Sequence, residues 1–152
     1  MVLIPEEMKE MLNVEEEPEP TLKKLLEQLA QKEQAVLILL AAPYKGVRIS
    51  PGTEEYAQIG LSEEFGIEEV ILRIKEKMGN KIKKVYLILN SPGGSLSSSY
   101  KVARVLRENI ENLTVFIPHI SKSGGTLVAL AGNEIVMGPM SELGPLDVNY
   151  KL

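Results

Sequence analysis

Three short apolar runs, each separated from the next by a helix-length segment, constrain this chain most: Ala35–Leu40 (AVLILL), Lys84–Leu89 (KVYLIL) and Thr114–Ile117 (TVFI). Runs of this length read as strands, and their near-continuous apolar content predicts strands buried on both faces of a parallel sheet. The segments between them carry helical spacing. Leu22, Leu25, Leu26 and Leu29 recur behind Thr21, which serves as N-cap. Ile67, Ile71, Ile74 and Met78 share a second helical face that ends at Gly79. A third helix is predicted from about Leu96 to Glu108, and a short one with almost no polar face over Thr126–Ala131. With Glu134–Met137 as a fourth strand, helix and strand alternate four times, which predicts an α/β fold with a mostly parallel sheet. Residues 43–66 show no period and are punctuated by Pro43, Gly46, Pro51, Gly52, Gly60 and Gly66.

Residues 1–20 break this pattern. They are acidic and end in Glu15-Glu16-Glu17-Pro18-Glu19-Pro20, which reads as a mobile arm ahead of one domain over 21–152. The chain, 44% hydrophobic, supports a single core. A net charge of −4 offers no broad basic face, so no nucleic-acid partner is expected. The absence of Cys excludes disulfides, thiolate zinc sites and a thiol nucleophile, and the single His, His119, excludes a histidine-based metal cluster. No cofactor is therefore expected. The longest apolar run, Ala35–Pro43, is far below the roughly 20 residues of a membrane-spanning helix. Acidic residues stand where a signal peptide needs basic ones. The expectation is a soluble, cytoplasmic protein with no membrane segment in these residues.

Two loops carry candidate chemistry. In Asn90-Ser91-Pro92-Gly93-Gly94-Ser95, Pro92 fixes one dihedral while two glycines permit angles other residues avoid. Such a turn can aim amides at an anion or a developing oxyanion. Taken alone it also reads as a plain strand-to-helix turn, and it has neither the Walker nor the GxGxxG spacing. In His119-Ile120-Ser121-Lys122-Ser123-Gly124-Gly125-Thr126, Ser123 opens a buried helix; Gly124 leaves its amide unshielded and Gly125 allows close approach of a substrate backbone. Taken alone, Ser123 is also a helix N-cap with glycines for packing. The segment is not a GxSxG elbow.

Together, NSPGGS followed by helix, strand and SGGTLVALAGNEIVMGPMSELGPLD resembles the Clp-protease/crotonase superfamily on its peptidase side. The stretch PHISKSGGTLVALAGNEIVMGPMSELGPLD most resembles the serine dehydrogenase proteinase family, related to Clp protease and signal peptide peptidase. The resemblance is strong from about Lys84 to Asp147, extends back to about Thr21, and is absent from the acidic arm. It implies a ββα superhelix with a mostly parallel sheet, which this chain would hold in a form truncated at the C-terminus. It also implies peptide-bond hydrolysis through an acyl-enzyme on Ser123, with oxyanion amides from Gly93 and Gly124. Gly94 and Ser95 would contact extended peptide, together with Gly125. The implied partners are a peptide or protein substrate and further copies of the chain in a homo-oligomer.

The resemblance is incomplete at the general base. No His lies in the stretch from Leu143 to Val148, where the Clp protease subunit carries one. Asp147 could be the acid of a Ser, Asp, His triad. His119 is either the base or a structural residue, and Lys122 and Lys151 are weaker choices. The residues thus read as an N-terminal portion of a serine peptidase. Two other classes compete: a non-catalytic oligomerisation module of the same fold, and an acyl-CoA enzyme of the crotonase branch. The latter needs no serine at 123.

Overall fold

The computed structural model describes residues 20–41, 47–50, 53–55, 58–79 and 82–146. The chain divides into two units, residues 1–35 and 36–152. The first is described only through helix α1 (Pro20–Glu33); the expected acidic arm otherwise lies outside the described residues. Of the α1 stripe, Leu25 and Leu29 are exposed.

In the second unit, strands β1 (Val36–Ala41), β4 (Ile82–Asn90), β5 (Ile110–Ile117) and β7 (Glu134–Met137) form one sheet in the order β1-β4-β5-β7. Every pair in it is parallel, as the strand–helix alternation predicts. Helix α2 (Leu61–Met78) precedes β4, α3 (Leu96–Asn109) links β4 to β5, and α4 (Gly124–Ala129) lies between β5 and β7. The short strands β2 (Val47–Ser50) and β3 (Thr53–Glu55) pair antiparallel, and β6 (Ile120–Ser121) pairs parallel with β8 (Glu142–Leu143).

The core corrects the expectation of strands buried on both faces. It takes alternate residues: Ile38 from β1, Val85, Leu87 and Leu89 from β4, Leu113, Val115 and Ile117 from β5. Ile67 and Ile71 of α2, Val102 and Leu106 of α3 and Val128 of α4 complete the same cluster. The intervening residues stay partly open, with Leu39 47% exposed and Tyr86 set edge-on to Phe116 at 5.3 Å. These helices therefore supply one layer of cover, and apolar content on the second face does not by itself imply burial.

Helix α2 also begins six residues before the expected Ile67. The Gly60 N–H donates to Glu63 Oε2 at 2.8 Å, and the Glu64 N–H donates to the Gly60 carbonyl at 3.0 Å. The carboxylate returns to an amide that would otherwise lack a helical partner, so Gly60 starts the helix instead of ending a loop. Gly66 then falls inside the helix, where a Cβ would meet nothing within 4 Å. Gly66→Ala is expected to stabilise the protein by about 0.5–1 kcal/mol, the usual helix-interior difference. The check is a urea midpoint that rises with an unchanged slope.

Candidate active site

The chain places both chemical loops at one edge because parallel strands end on the same side. Beyond β4, Ser91 is stitched to the segment after β5: the Ser91 N–H donates to the Ile120 carbonyl at 2.9 Å, and the Lys122 N–H donates to the Ser91 carbonyl at 3.0 Å. Asn90 Oδ1 accepts from the Ile120 N–H at 3.1 Å. On the other side of β6, Glu142 and Gly144 donate to the carbonyls of His119 and Ser121 at 2.8 and 2.9 Å. The segment carrying the nucleophile candidate is thus the middle strand between the glycine loop and residues 142–144.

Ser123 follows directly. Residues 122–125 form a tight turn closed by the Gly125 N–H donating to the Lys122 carbonyl at 2.8 Å. Ser123 has φ +47° and ψ −117°, the first central position of a type II′ turn, which strongly favours glycine. Among the described residues the only other non-glycine with positive φ is Gln34, just past α1. A serine here costs on the order of 1–3 kcal/mol in backbone strain and persists only where its surroundings enforce it. Its side chain makes no capping bond and is exposed, so local structure does not account for the residue type.

Gly93 and Ser123 are brought together. A Cβ on Gly93 would lie 3.0 Å from Ser123 Cβ and 2.9 Å from the Lys122 carbonyl oxygen, and Gly93 has φ +117°. Its N–H donates to Ser91 Oγ at 3.1 Å. Gly94 (φ +155°) bridges Ile59: the Ile59 N–H donates to the Gly93 carbonyl at 2.9 Å, and the Ser95 N–H to the Ile59 carbonyl at 2.8 Å. That bridge does not engage the N–H of Gly94 itself. It also occupies Ser95, whose Oγ and carbonyl accept from Ser98 and Ser99 at the start of α3. Gly124 adjoins both loops, since a Cβ there would sit 3.4 Å from Gly94 N and 2.3 Å from Ser99 Oγ. Gly125 packs on Ser91 and Ser121, where a Cβ would lie 3.2 Å from Ser91 Cβ and 2.9 Å from Ser121 Oγ.

The proton-handling candidates are less assembled. His119 is exposed in the turn before β6, beside Glu142. Asp147 and Lys151 lie outside the described residues. Lys122 does not present a free amine: its Nζ donates to Glu142 Oε2 at 2.5 Å. That ammonium holds the Glu142 carboxyl below the ordinary glutamate value, with a smaller contribution from His119. Among the described residues no group of three or more His, Cys, Asp or Glu could hold a metal ion. None of the described helices is long and apolar enough to cross a membrane.

The parallel sheet thus presents a glycine loop beside a strained, exposed serine. Residues 56–151, more than half of the chain, match the ClpP-like SDH-type serine proteinase family, and the chain belongs to that family. It is 30% identical over 124 residues to an uncharacterized protein of Methanocaldococcus jannaschii, covering 82% of this chain but only 41% of that relative. Among solved structures, a membrane-bound stomatin-specific protease, 1510-N, aligns with TM-score 0.51 at 13% identity, over 72% of this chain and 46% of its own. ClpP1 from Listeria monocytogenes aligns with TM-score 0.49 at 15% identity, over 68% and 51% respectively. At such identities the first of these supports the fold alone.

Proposed function

We propose that this chain carries the nucleophile and oxyanion machinery of a serine peptidase, with Ser123 as nucleophile. The observation that carries the reading is the type II′ turn at 122–125, which holds an exposed serine in a glycine-favoured conformation against the Gly93-Gly94 loop. In the reaction, Ser123 Oγ adds to the peptide carbonyl carbon and its proton passes to a base. The tetrahedral intermediate expels the amine, which takes up that proton, and water then hydrolyses the ester. The oxyanion needs N–H donors held in place beforehand. Gly124 supplies one. For the other, Gly94 is better placed than Gly93, because the Gly93 N–H is already engaged by Ser91 Oγ. Gly93 then acts as the hinge that lets the loop approach Ser123. Extended peptide would run along Gly94, with Gly125 as the small floor beneath it, and not along Ser95, whose polar backbone atoms are taken.

The reading also assigns peptide or protein as substrate, and self-association through apolar surface such as Leu25 and Leu29. A fluorophosphonate probe tests the chemistry. Mapping of the adduct to Ser123 supports it, and an unlabelled protein leaves the fold as a non-catalytic module. His119→Ala separates the base from a structural residue. Loss of labelling with an unchanged melting transition makes His119 the base. Retained labelling places the base elsewhere.

A further inference from the structure

Lys122 is fixed at every polar group it has. Its N–H donates to the Ser91 carbonyl at 3.0 Å and its carbonyl accepts from the Gly125 N–H at 2.8 Å. Its ammonium is bonded to Glu142 at 2.5 Å. Its stem lies across Gly144, where a Cβ would fall 2.5 Å from Lys122 Cδ and 3.0 Å from Lys122 Cα. The Gly144 peptide is held a second time, its carbonyl accepting from Thr126 Oγ1 at 3.0 Å while that hydroxyl also bonds the Ser121 carbonyl at 2.7 Å. An exposed ion pair on its own contributes little. This one spans two segments already hydrogen-bonded to each other, and it sits one residue before a backbone that would relax if its surroundings loosened.

We propose that Lys122 is a positioning residue for Ser123: clasped to Glu142 and laid over Gly144, it presses residues 142–144 against the nucleophile turn, opposite the Gly93-Gly94 loop. This role rests on the reading of Ser123 as nucleophile. It explains why a lysine adjoins the serine without serving as its base. It also implies a pH dependence. Among the described residues Lys122 faces Glu142, with His119 beside it, and the Glu142 carboxyl titrates lower in the folded state than in the unfolded one. The clasp is therefore complete above the ordinary glutamate range and opens as pH falls through the depressed value.

The test compares Lys122→Met, Lys122→Arg, Glu142→Gln and the double variant Lys122→Met/Glu142→Gln in the full chain. Two readouts are taken: the rate of fluorophosphonate labelling at Ser123, and amide hydrogen exchange at Glu142 and Gly144. Lys122→Met keeps the stem and loses the charge, so exchange at both amides should rise and labelling should slow, by up to roughly a hundredfold if the nucleophile shifts by about 1 Å. Glu142→Gln should match it, and the double variant should lose no more than either single change, because one interaction is removed in each case. Lys122→Arg should recover most of the rate. Once the pH falls below the depressed Glu142 value the wild type should approach the Lys122→Met exchange pattern. Unchanged exchange, additive losses, or faster exchange with an unchanged labelling rate each overturn the proposal. A wild type that is never labelled removes the nucleophile reading and the positioning role with it, while exchange still decides whether the clasp forms.

Discussion

Ser123→Ala is expected to abolish probe labelling and hydrolysis while leaving the melting transition nearly unmoved. Removing the hydroxyl removes the acyl-enzyme route, a loss on the order of 10⁶ in turnover where a serine nucleophile acts with its base. Stability should hold because the side chain is exposed and caps nothing. Ser123→Gly makes the test sharper. Glycine adopts φ +47°, ψ −117° without strain, so this variant should be equally inactive yet more stable by about 1 kcal/mol, after its own entropy cost is subtracted from the relieved strain. Opposite signs for activity and stability at one position are the mark of strain kept for function. Full activity in folded Ser123→Ala, or no stabilisation in Ser123→Gly, would remove the nucleophile or the strain from this account respectively.

How much of this was legible in the sequence differs from element to element, for physical reasons. The parallel pairing follows from short apolar runs alternating with helical periods, because parallel strands need crossovers and helices are the usual ones. What the apolar runs could not show is that Leu39 stays exposed, since composition marks a strand and not what covers its second face. The start of α2 was hidden because Gly60 and Gly66 look like punctuation, and only the return of Glu63 to the Gly60 amide turns the first into a helix boundary. Strands β6 and β8 are two residues long and have no period to read, yet they set the nucleophile turn in place. The two glycine pairs were readable as close-approach positions. That the Gly93 amide is engaged by the Ser91 hydroxyl was not, because a serine two residues before a glycine does not by itself announce that bond, and the bridge to Ile59 comes from more than thirty residues earlier in the chain. The same holds for Lys122 and Glu142: no local rule links residues that far apart, although both types were visible beside the motif.

The second large effect is on stability. Gly94→Ala is expected to cost about 3 kcal/mol or more, from positive-φ strain and overpacking together. A Cβ at this position would lie 2.2 Å from the Ile59 carbonyl oxygen and 2.4 Å from its nitrogen. These are backbone atoms, so no side-chain rotation can make room. Moving the loop breaks the bonds from Ile59 to Gly93 and from Ser95 to Ile59; moving Ile59 withdraws a residue that is 2% exposed from the core and drags the start of α2 with it. Gly124→Ala is the instructive contrast, since its worst contact is the Ser99 hydroxyl at 2.3 Å. Combining it with Ser99→Ala should recover part of the loss, because the offending atom is then gone. No single side-chain truncation should rescue Gly94→Ala. Urea melts of these three variants and the wild type decide this. A Gly94→Ala midpoint close to wild type would mean that the loop does not sit against Ile59 as described, and a midpoint restored by trimming a nearby side chain would move the clash off the backbone.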